Sequence, residues 1–485
     1  MALSGKYEAV IGLEVHAEMM TESKMFTGAP VVDSIEAEPN TAVRPLCLGM
    51  PGTLPVINRK AVEYAIRVGL ALGCDINLFN RFARKNYFYP DLPKGYQISQ
   101  FEEPIATNGL LEIELEDGTR KTIRVRRVHM EEDTGKLTHM GDGTSLVDYN
   151  RAGVPLLEIV SEPDIHSAEE ATAYATRLRQ ILRYLEVNSG DLEKGVLRVE
   201  PNISIRPVGT DQLNTRTEVK NLNSFRALFG ASEYEIARQE SVIESGGSVV
   251  QETRGWNEDS RTTFSQRIKE DAEDYRYFLD PDLPPLYLEQ AWVDQIAETL
   301  PELPVAKAQR YQTELGLSAY DAQQLTEEKA VAGWFETAVA AGATPKAIAN
   351  LLINNIFSMM NEAGAEIGDI KITPDSLAGL LKLVDKGTIN NNIAKKVLAD
   401  MFASGDSADA IVKAKGLAQV SDEGPILAAI NEAIANNPKN VKKYLAGKTK
   451  LRGFFVGQVM RAMRGKANPA LVNQLVDKTL GELQA

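Results

Sequence analysis

Cysteine, histidine and long apolar runs are scarce in this chain of 485 residues. Its two cysteines, Cys47 and Cys74, are too few for a disulfide framework or for a zinc site built from cysteines. No apolar stretch approaches the roughly 20 residues that span a bilayer, and residues 1–7 lack the features of a secretory signal or a transit peptide. We therefore expect a cytoplasmic protein that does not bind a membrane.

The charge of the chain is unevenly distributed. The formal net charge is −14, which argues against nucleic-acid binding over the whole surface. Residues 411–485, however, carry twelve basic and five acidic residues, and residues 439–466 carry nine basic residues and no acidic one. Such a cluster is typical of surfaces that contact phosphate backbones, although a solvated helical face has the same composition.

The segment Tyr7–Met19 alternates between apolar and polar residues. Because successive side chains of a strand point to opposite faces, this pattern predicts a strand whose odd-numbered residues enter a core. Glu14 and His16 would then lie together on the polar face.

Two further segments show the same alternation. Residues 197–206 place Glu200 on a polar face, and residues 216–220 place Glu218 there. If the three strands are neighbours, their carboxylates and the imidazole of His16 would form a cation-binding sheet floor. Amphipathic strands also carry outward charge simply because that face meets water, and spacing alone does not bring the strands together.

Periodicity divides the chain into three predicted domains. Residues 1–290 mix strands and helices. Ser167 is a predicted helix N-cap, with Glu170 three residues later in a capping-box pattern, and Asn223 and Ser224 are both candidate caps of another helix. Residues 291–408 have helical periodicity almost throughout, and residues 409–485 form a small lysine-rich helical tail.

Long motifs in the same order resemble those of one family, the B subunits of the tRNA-dependent aspartyl/glutamyl-tRNA amidotransferase (GatB). The resemblance covers essentially the whole chain. The motifs that carry it are Ile11-Gly-Leu-Glu-Val-His16, Arg84-Lys-Asn-Tyr-Phe-Tyr-Pro-Asp91, Tyr96-Gln-Ile-Ser-Gln100, His129-Met-Glu-Glu-Asp133, Glu158-Ile-Val-Ser-Glu-Pro-Asp164, Val219-Lys-Asn-Leu-Asn-Ser-Phe225, Asp274-Tyr-Arg-Tyr-Phe278 and Phe455-Val-Gly-Gln-Val-Met460.

The resemblance implies an α+β fold. Its N-terminal domain would be an antiparallel-sheet cradle of the glutamine synthetase and guanido kinase type, followed by an all-α linker domain and a small all-α YqeY-like tail. The implied activity is ATP-dependent phosphorylation of the side-chain carboxylate of Glu-tRNA(Gln), Asp-tRNA(Asn) or both, and amidation of the acyl phosphate by ammonia.

The resemblance also implies cofactors and site residues. ATP and Mg²⁺ are expected, because phosphoryl transfer needs cations that neutralise the developing oxygen charge. The implied catalytic residues are Glu14, His16 and Glu132, and the implied metal ligands are these three with Glu200 and Glu218. Glu132 comes from the resemblance alone.

Partners follow from the same resemblance. Ammonia would come from a separate amidase (glutaminase) subunit, in a heterotrimer with a small third subunit, through a passage that ends near Lys85 and Lys94. Misacylated tRNA would bind the tail, whose predicted phosphate contacts are Lys442, Lys443, Lys448, Lys450 and Arg452.

The chain departs from the family pattern at two informative positions. Glu200 stands where most members have Asp, and its longer side chain could shift a cation or require an intervening water. Arg44 replaces the first cysteine of a Cys-Pro-x-Cys pair that ends here at Cys47. We therefore expect no structural zinc.

Two other functions are compatible with parts of this pattern. The chain could be a tRNA-binding scaffold whose acidic cradle has lost its activity. It could also be an unrelated metal-dependent hydrolase that acts on a small substrate without tRNA or partners. The Glu14 and His16 pair favours the kinase and transamidase hypothesis over the first alternative, and the basic tail argues against the second.

Overall fold

The computed structural model describes residues 5–268, 275–418, 423–463 and 467–483. Asp274 of the sequence motif and the basic residues Arg464 and Lys466 lie outside the described residues. Contacts divide the chain into two compact units, Met1–Pro304 and Val305–Ala485. None of the helices in the described ranges has the length and apolar character needed to cross a membrane.

Within its described residues, the first unit contains sixteen strands and four α-helices. The strands are β1 (Tyr7–Glu18), β2 (Asp75–Ile76), β3 (Phe79–Asn80), β4 (Ala83–Asn86), β5 (Tyr96–Ser99), β6 (Ala106–Glu114), β7 (Arg120–Glu132), β8 (Lys136–His139), β9 (Ser145–Asp148), β10 (Pro155–Ser161), β11 (Leu197–Pro207), β12 (Thr217–Lys220), β13 (Glu252–Asn257), β14 (Thr262–Ile268), β15 (Phe278–Leu279) and β16 (Leu286–Tyr287). The helices are α1 (Arg59–Ala71), α2 (Ala168–Tyr184), α3 (Phe225–Glu244) and α4 (Gln290–Glu298).

The regular elements in the described residues of the second unit are helices. Its α-helices are α5 (Pro304–Leu315), α6 (Ala319–Thr326), α7 (Lys329–Ala340), α8 (Pro345–Leu351), α9 (Phe357–Ala363), α10 (Pro374–Asp385), α11 (Asn391–Ser404), α12 (Ala408–Ala414), α13 (Glu423–Ala435), α14 (Pro438–Leu445), α15 (Arg452–Ala462) and α16 (Pro469–Glu482). A π-helical turn, Leu352–Ile356, joins α8 to α9, and a 3₁₀ turn, Thr449–Leu451, precedes α15.

A twelve-stranded sheet dominates the first unit. Its main path runs β14-β13-β12-β11-β1-β10-β7-β5-β4-β15, while β6 pairs with both β7 and β2. The strand pairs are antiparallel except for β12 with β13. The predicted mixed α+β architecture, with a large N-terminal sheet and a helical C-terminal part, is confirmed.

Strand β1 is central, between β10 and β11, and shows the predicted alternation. Its odd-numbered residues from Ala9 to Ala17 are fully buried in the core that α1, α2 and α3 cover. Glu14 and His16 are only partly buried on the opposite face. The core therefore fixes which side chains the other face presents.

The predicted N-caps of the two long helices are present. The Ser167 hydroxyl accepts a hydrogen bond from the Glu170 backbone N–H (3.1 Å), and the Ser224 hydroxyl accepts one from Ala227 (3.0 Å). The Glu170 carboxylate accepts from the backbone N–H of His166 (2.7 Å), one residue before the cap. The two serine bonds satisfy amide groups that the first turn of a helix leaves without partners, and the Glu170 bond satisfies the amide that precedes the cap.

Helix α4 belongs to the first unit, although the sequence places the domain boundary at residues 290 and 291. Val293 and Ile296 are buried in the first core, and the Arg59 guanidinium lies 5.0 Å from the centre of the Trp292 ring. The described part of the second unit contains two separate apolar clusters, one centred on α7 and α10 and one on α13, α15 and α16. The three-domain division stays a prediction.

The central strand makes the first unit sensitive to loss of core volume. Leu13 is fully buried, and Leu13→Ala should lower the free energy of unfolding of this unit by about 2–5 kcal/mol, since a cavity would remain. Leu110 on β6 is 56 % exposed and serves as the matched control. Denaturant unfolding monitored by tryptophan fluorescence would measure both, and equal losses would contradict the central role of β1.

Candidate metal centre

The polar face of the sheet brings together residues that are distant in sequence. In the β1–β11 register Glu14 lies opposite Glu200, and in the β1–β10 register His16 lies opposite Glu158. On β12, Glu218 lies opposite Asn202 of β11. Four adjacent strands, β12, β11, β1 and β10, therefore present polar side chains to one surface.

Glu14, Glu200 and Glu218 form the first group, whose ligand oxygens lie within 4.8 Å of one another. The Asn202 amide donates to Glu14 Oε1 (2.9 Å), and the Thr253 hydroxyl donates to Glu218 Oε2 (2.8 Å). Asn202 is buried, and its Oδ1 has no hydrogen-bond partner among the described residues. That oxygen is a fourth candidate ligand of the group.

Lys220 provides a positive charge at this first group. Its Nζ lies 2.8 Å from Glu200 Oε2 and 3.7 Å from Glu218 Oε1. Burial disfavours the ammonium form, but the charges of Glu200 and Glu218 outweigh this effect and raise the pKa of Lys220 above its ordinary value.

His16, Glu131 and Glu158 form the second group, again with ligand atoms within 4.8 Å. His16 Nε2 lies 3.4 Å from Glu158 and 3.6 Å from Glu131, and His129 Nε2 lies 3.2 Å from Glu158. His16 Nδ1 and Glu131 Oε2 are buried and have no hydrogen-bond partner in the described part of the chain. The group therefore offers donor atoms that the protein itself does not use.

The side chains of the second group shift one another's pKa values. Burial alone would lower the pKa of His16, but the hydrogen bond and charge of Glu158, with the charges of Glu200 and Glu131, raise this pKa to about 9. Burial would likewise raise the pKa of Glu158, yet His129 and His16 hold it well below its usual range. The carboxylates around His16 therefore favour the protonated form of its imidazole.

Glu132, which the motif implies as a ligand, lies in neither group. Its Oε1 is 2.6 Å from Lys94 Nζ and accepts a hydrogen bond from the Ile98 backbone N–H (3.0 Å). Strand alternation is the reason: on β7, His129 and Glu131 share the polar face, while Met130 and Glu132 point to the other face. Glu131, on the polar face, lies in the second group.

The two predicted ammonia-passage lysines lie at different places around β7. Lys85 has its Nζ 5.0 Å from the centre of the Tyr275 ring. Lys85 lies on β4 opposite Gln97 of β5. Burial lowers the pKa of Lys85, but Tyr277, Glu131 and Glu158 together raise it above its ordinary value. Lys94 instead pairs with Glu132.

The donors of the two groups suit a hard divalent cation. Each provides carboxylate oxygens, and the second adds one imidazole nitrogen, a set that fits Mg²⁺ or Mn²⁺. Neither cysteine belongs to these groups, the only ones of this kind among the described residues. Cys47 lies 3.7 Å from the Lys24 Nζ, and burial raises the pKa of the Cys74 thiol to about 12. The expected lack of a structural zinc stays a prediction.

The basic residues of the tail differ in their surroundings. Lys442, Lys443, Lys448 and Lys450 are exposed and form no ion pair with any described acidic residue. Arg452 instead makes a two-pronged salt bridge with Asp477, including a 2.8 Å contact. Its guanidinium is therefore already held by a carboxylate, unlike the four lysines.

Comparison with known proteins matches nearly the whole chain. Residues 9–294 match the family model described as the GatB/GatE catalytic domain, and residues 333–480 match the model described as the GatB domain. A protein of Thermodesulfovibrio yellowstonii is 53% identical over 477 residues, covering 98% of this chain and 100% of the relative.

Other relatives give the same result. A protein of Caldanaerobacter subterraneus subsp. tengcongensis is 52% identical over 477 residues, which are 98% of this chain and 100% of the relative. One of Geotalea uraniireducens is 53% identical over 480 residues, which are 98% of this chain and 99% of the relative. Each of the three is named as the B subunit of an aspartyl/glutamyl-tRNA(Asn/Gln) amidotransferase.

Proposed function

This chain belongs to the family of B subunits of the aspartyl/glutamyl-tRNA(Asn/Gln) amidotransferase, and we propose that it uses ATP to activate the side-chain carboxylate of Glu-tRNA(Gln) or Asp-tRNA(Asn) for amidation. The observation that carries the proposal is the convergence of six acidic and imidazole side chains into two groups on one sheet face. ATP and the acid are both anions, so a surface that holds cations is what their encounter requires.

The reaction has a charge problem that the site is suited to solve. A carboxylate resists direct amidation, because its oxygen is a poor leaving group and its charge repels a nucleophile. Attack of a carboxylate oxygen on the γ-phosphorus of ATP releases ADP and gives an acyl phosphate. Ammonia then attacks the acyl carbon, and phosphate leaves with the former carboxylate oxygen.

The two groups would hold divalent cations, which in phosphoryl transfer neutralise charge on the phosphate oxygens. Glu14, Glu200 and Glu218 would hold one, and His16, Glu131 and Glu158 the other. His129 orients Glu158 through their 3.2 Å contact, as outer partners commonly do for metal-binding carboxylates.

Ammonia would be supplied by the amidase (glutaminase) subunit of a heterotrimer that also includes a small third subunit. At neutral pH free ammonia is mostly protonated to ammonium, which is not a nucleophile. A confined path would therefore supply ammonia in its neutral form and at a high local concentration. Lys85 would lie along that path, and so would Lys94, which pairs with Glu132. The exposed tail lysines would position the misacylated tRNA through its phosphates.

An isotope experiment tests the proposed intermediate. Glu-tRNA(Gln) labelled with ¹⁸O in its side-chain carboxylate should transfer a single ¹⁸O atom to inorganic phosphate during amidation by the assembled complex. Mass spectrometry of the phosphate measures this transfer, with unlabelled substrate in ¹⁸O-water as the control.

Label that stays out of the phosphate during amidation would refute the acyl phosphate. The scaffold hypothesis instead predicts that substitutions in the two groups leave activity unchanged. The hydrolase hypothesis predicts that the chain alone, without tRNA, turns over a small substrate.

A further inference from the structure

Lys220 contacts two of the three carboxylates in the first group. Its Nζ lies 2.8 Å from Glu200 Oε2 and 3.7 Å from Glu218 Oε1, and both glutamates are candidate cation ligands. Lys220 follows Glu218 by two residues on β12, so strand alternation places both side chains on the polar face. The ammonium therefore bonds to atoms that a divalent cation would need.

We propose that Lys220 is a built-in counter-cation that keeps the first group from binding a divalent cation until ATP arrives, an inference that rests on the proposed function. The ammonium competes for the oxygens of Glu200 and Glu218. When the nucleotide brings phosphate charge to the site, Lys220 moves from the carboxylates to a phosphate oxygen and leaves the carboxylates to the cation.

The charges of the group support this exchange. Three carboxylates carry three negative charges, which one ammonium neutralises only in part, so the group still attracts a cation. One ammonium and one divalent cation together balance the three carboxylates, but both need the same oxygens. An added polyphosphate relieves this competition, because it gives the ammonium a second anionic partner.

A simple structural salt bridge in the same unit looks different. Lys121 lies 2.7 Å from Glu170, and neither residue belongs to a metal-binding group. Lys220 instead has one carboxylate at hydrogen-bond distance and a second within 3.7 Å. The Asn202 and Thr253 hydrogen bonds to Glu14 and Glu218 keep these acceptors oriented without adding charge.

Titration of Mn²⁺ into the assembled complex, followed by electron paramagnetic resonance, tests the inference without measuring turnover. In the wild type, Mn²⁺ should bind the first group only when a non-hydrolysable ATP analogue is present. Lys220→Met and Lys220→Gln should bind Mn²⁺ at this group at least tenfold more tightly without nucleotide. Lys220→Arg, which keeps the charge, should restore the dependence on nucleotide, and Lys121→Met should behave as the wild type.

The outcomes separate this inference from the proposed function. Equal nucleotide-free affinity of the first group for Mn²⁺ in the wild type and in both uncharged Lys220 variants would overturn the role of Lys220 and leave the proposed function untouched. Mn²⁺ binding that survives Glu200→Gln and Glu131→Gln would instead remove both cation groups from the proposed function. The same result is expected for the Met and the Gln variant, because both lack the ammonium group. A folding defect in one of them would therefore leave the other as a valid test.

Discussion

Replacement of Glu131 by Gln should lower ATP-dependent amidation by about a thousandfold, as expected when a charge-stabilising group is removed from a phosphoryl-transfer site. Glu131 is buried, and its Oε2 has no partner within the described residues, whereas its other oxygen faces His16. The substitution preserves shape but removes the charge that a cation needs. Activity assays of the assembled complex, with ammonium chloride as the nitrogen donor, would measure the loss.

The adjacent residue provides the control. Glu132→Gln should keep Mn²⁺ affinity and ammonium-dependent activity within a few-fold of the wild type, because Glu132 faces away from both groups. It should lower stability by about 3 kcal/mol, since it leaves the largely buried Lys94 side chain without its carboxylate. If Glu132→Gln abolished Mn²⁺ binding and Glu131→Gln did not, the face assignment of β7 would be wrong.

Three strands of the sheet could be predicted from the sequence, because alternation with a period of two is visible where one face is buried. The bounds predicted for β1, β11 and β12 lie within one residue of those in the structure, and Ser167 and Ser224 cap their helices. The convergence of Glu14, Glu200 and Glu218 also agrees with the hypothesis of a sheet floor. Their roles as cation ligands remain proposals.

The second group was only partly predictable, and the reason is physical. Alternation gives the face of each residue but not the order of strands, and β10 lies between β1 and β7. Glu158 therefore had no signal beyond its motif. Glu131 did have such a signal, because it lies two residues after the polar His129, whereas Glu132 lies two residues after the apolar Met130. The motif alone does not distinguish adjacent glutamates, but the strand period does.

Arg452 shows a different limit of the sequence. It is basic and close in sequence to the exposed lysines, yet its partner Asp477 is 25 residues away on α16. The composition shows that Arg452 is positively charged, but only the fold shows that its guanidinium is paired with the Asp477 carboxylate. The same limit applies to α4, whose helical period resembles that of the second unit while Val293 and Ile296 pack in the first core.

Removal of three tail lysines should weaken tRNA binding without affecting the chemistry. Lys442, Lys443 and Lys450 are exposed, and changing all three to Gln should lower tRNA affinity about a hundredfold at low salt, since each contact with a phosphate releases counterions. The slope of log affinity against log salt should fall in magnitude by about 3, one for each lysine. Filter binding or fluorescence anisotropy over a range of salt concentrations would measure both.

A matched triple variant separates local contact from general charge. Lys386, Lys395 and Lys396 are also exposed lysines of the second unit, and their replacement by Gln removes the same charge with little expected effect on the slope. At saturating tRNA the tail variant should amidate at the wild-type rate, whereas Glu131→Gln should bind tRNA normally and fail to activate it. Equal slope changes in the two triple variants would show that net charge, rather than the tail surface, attracts the tRNA.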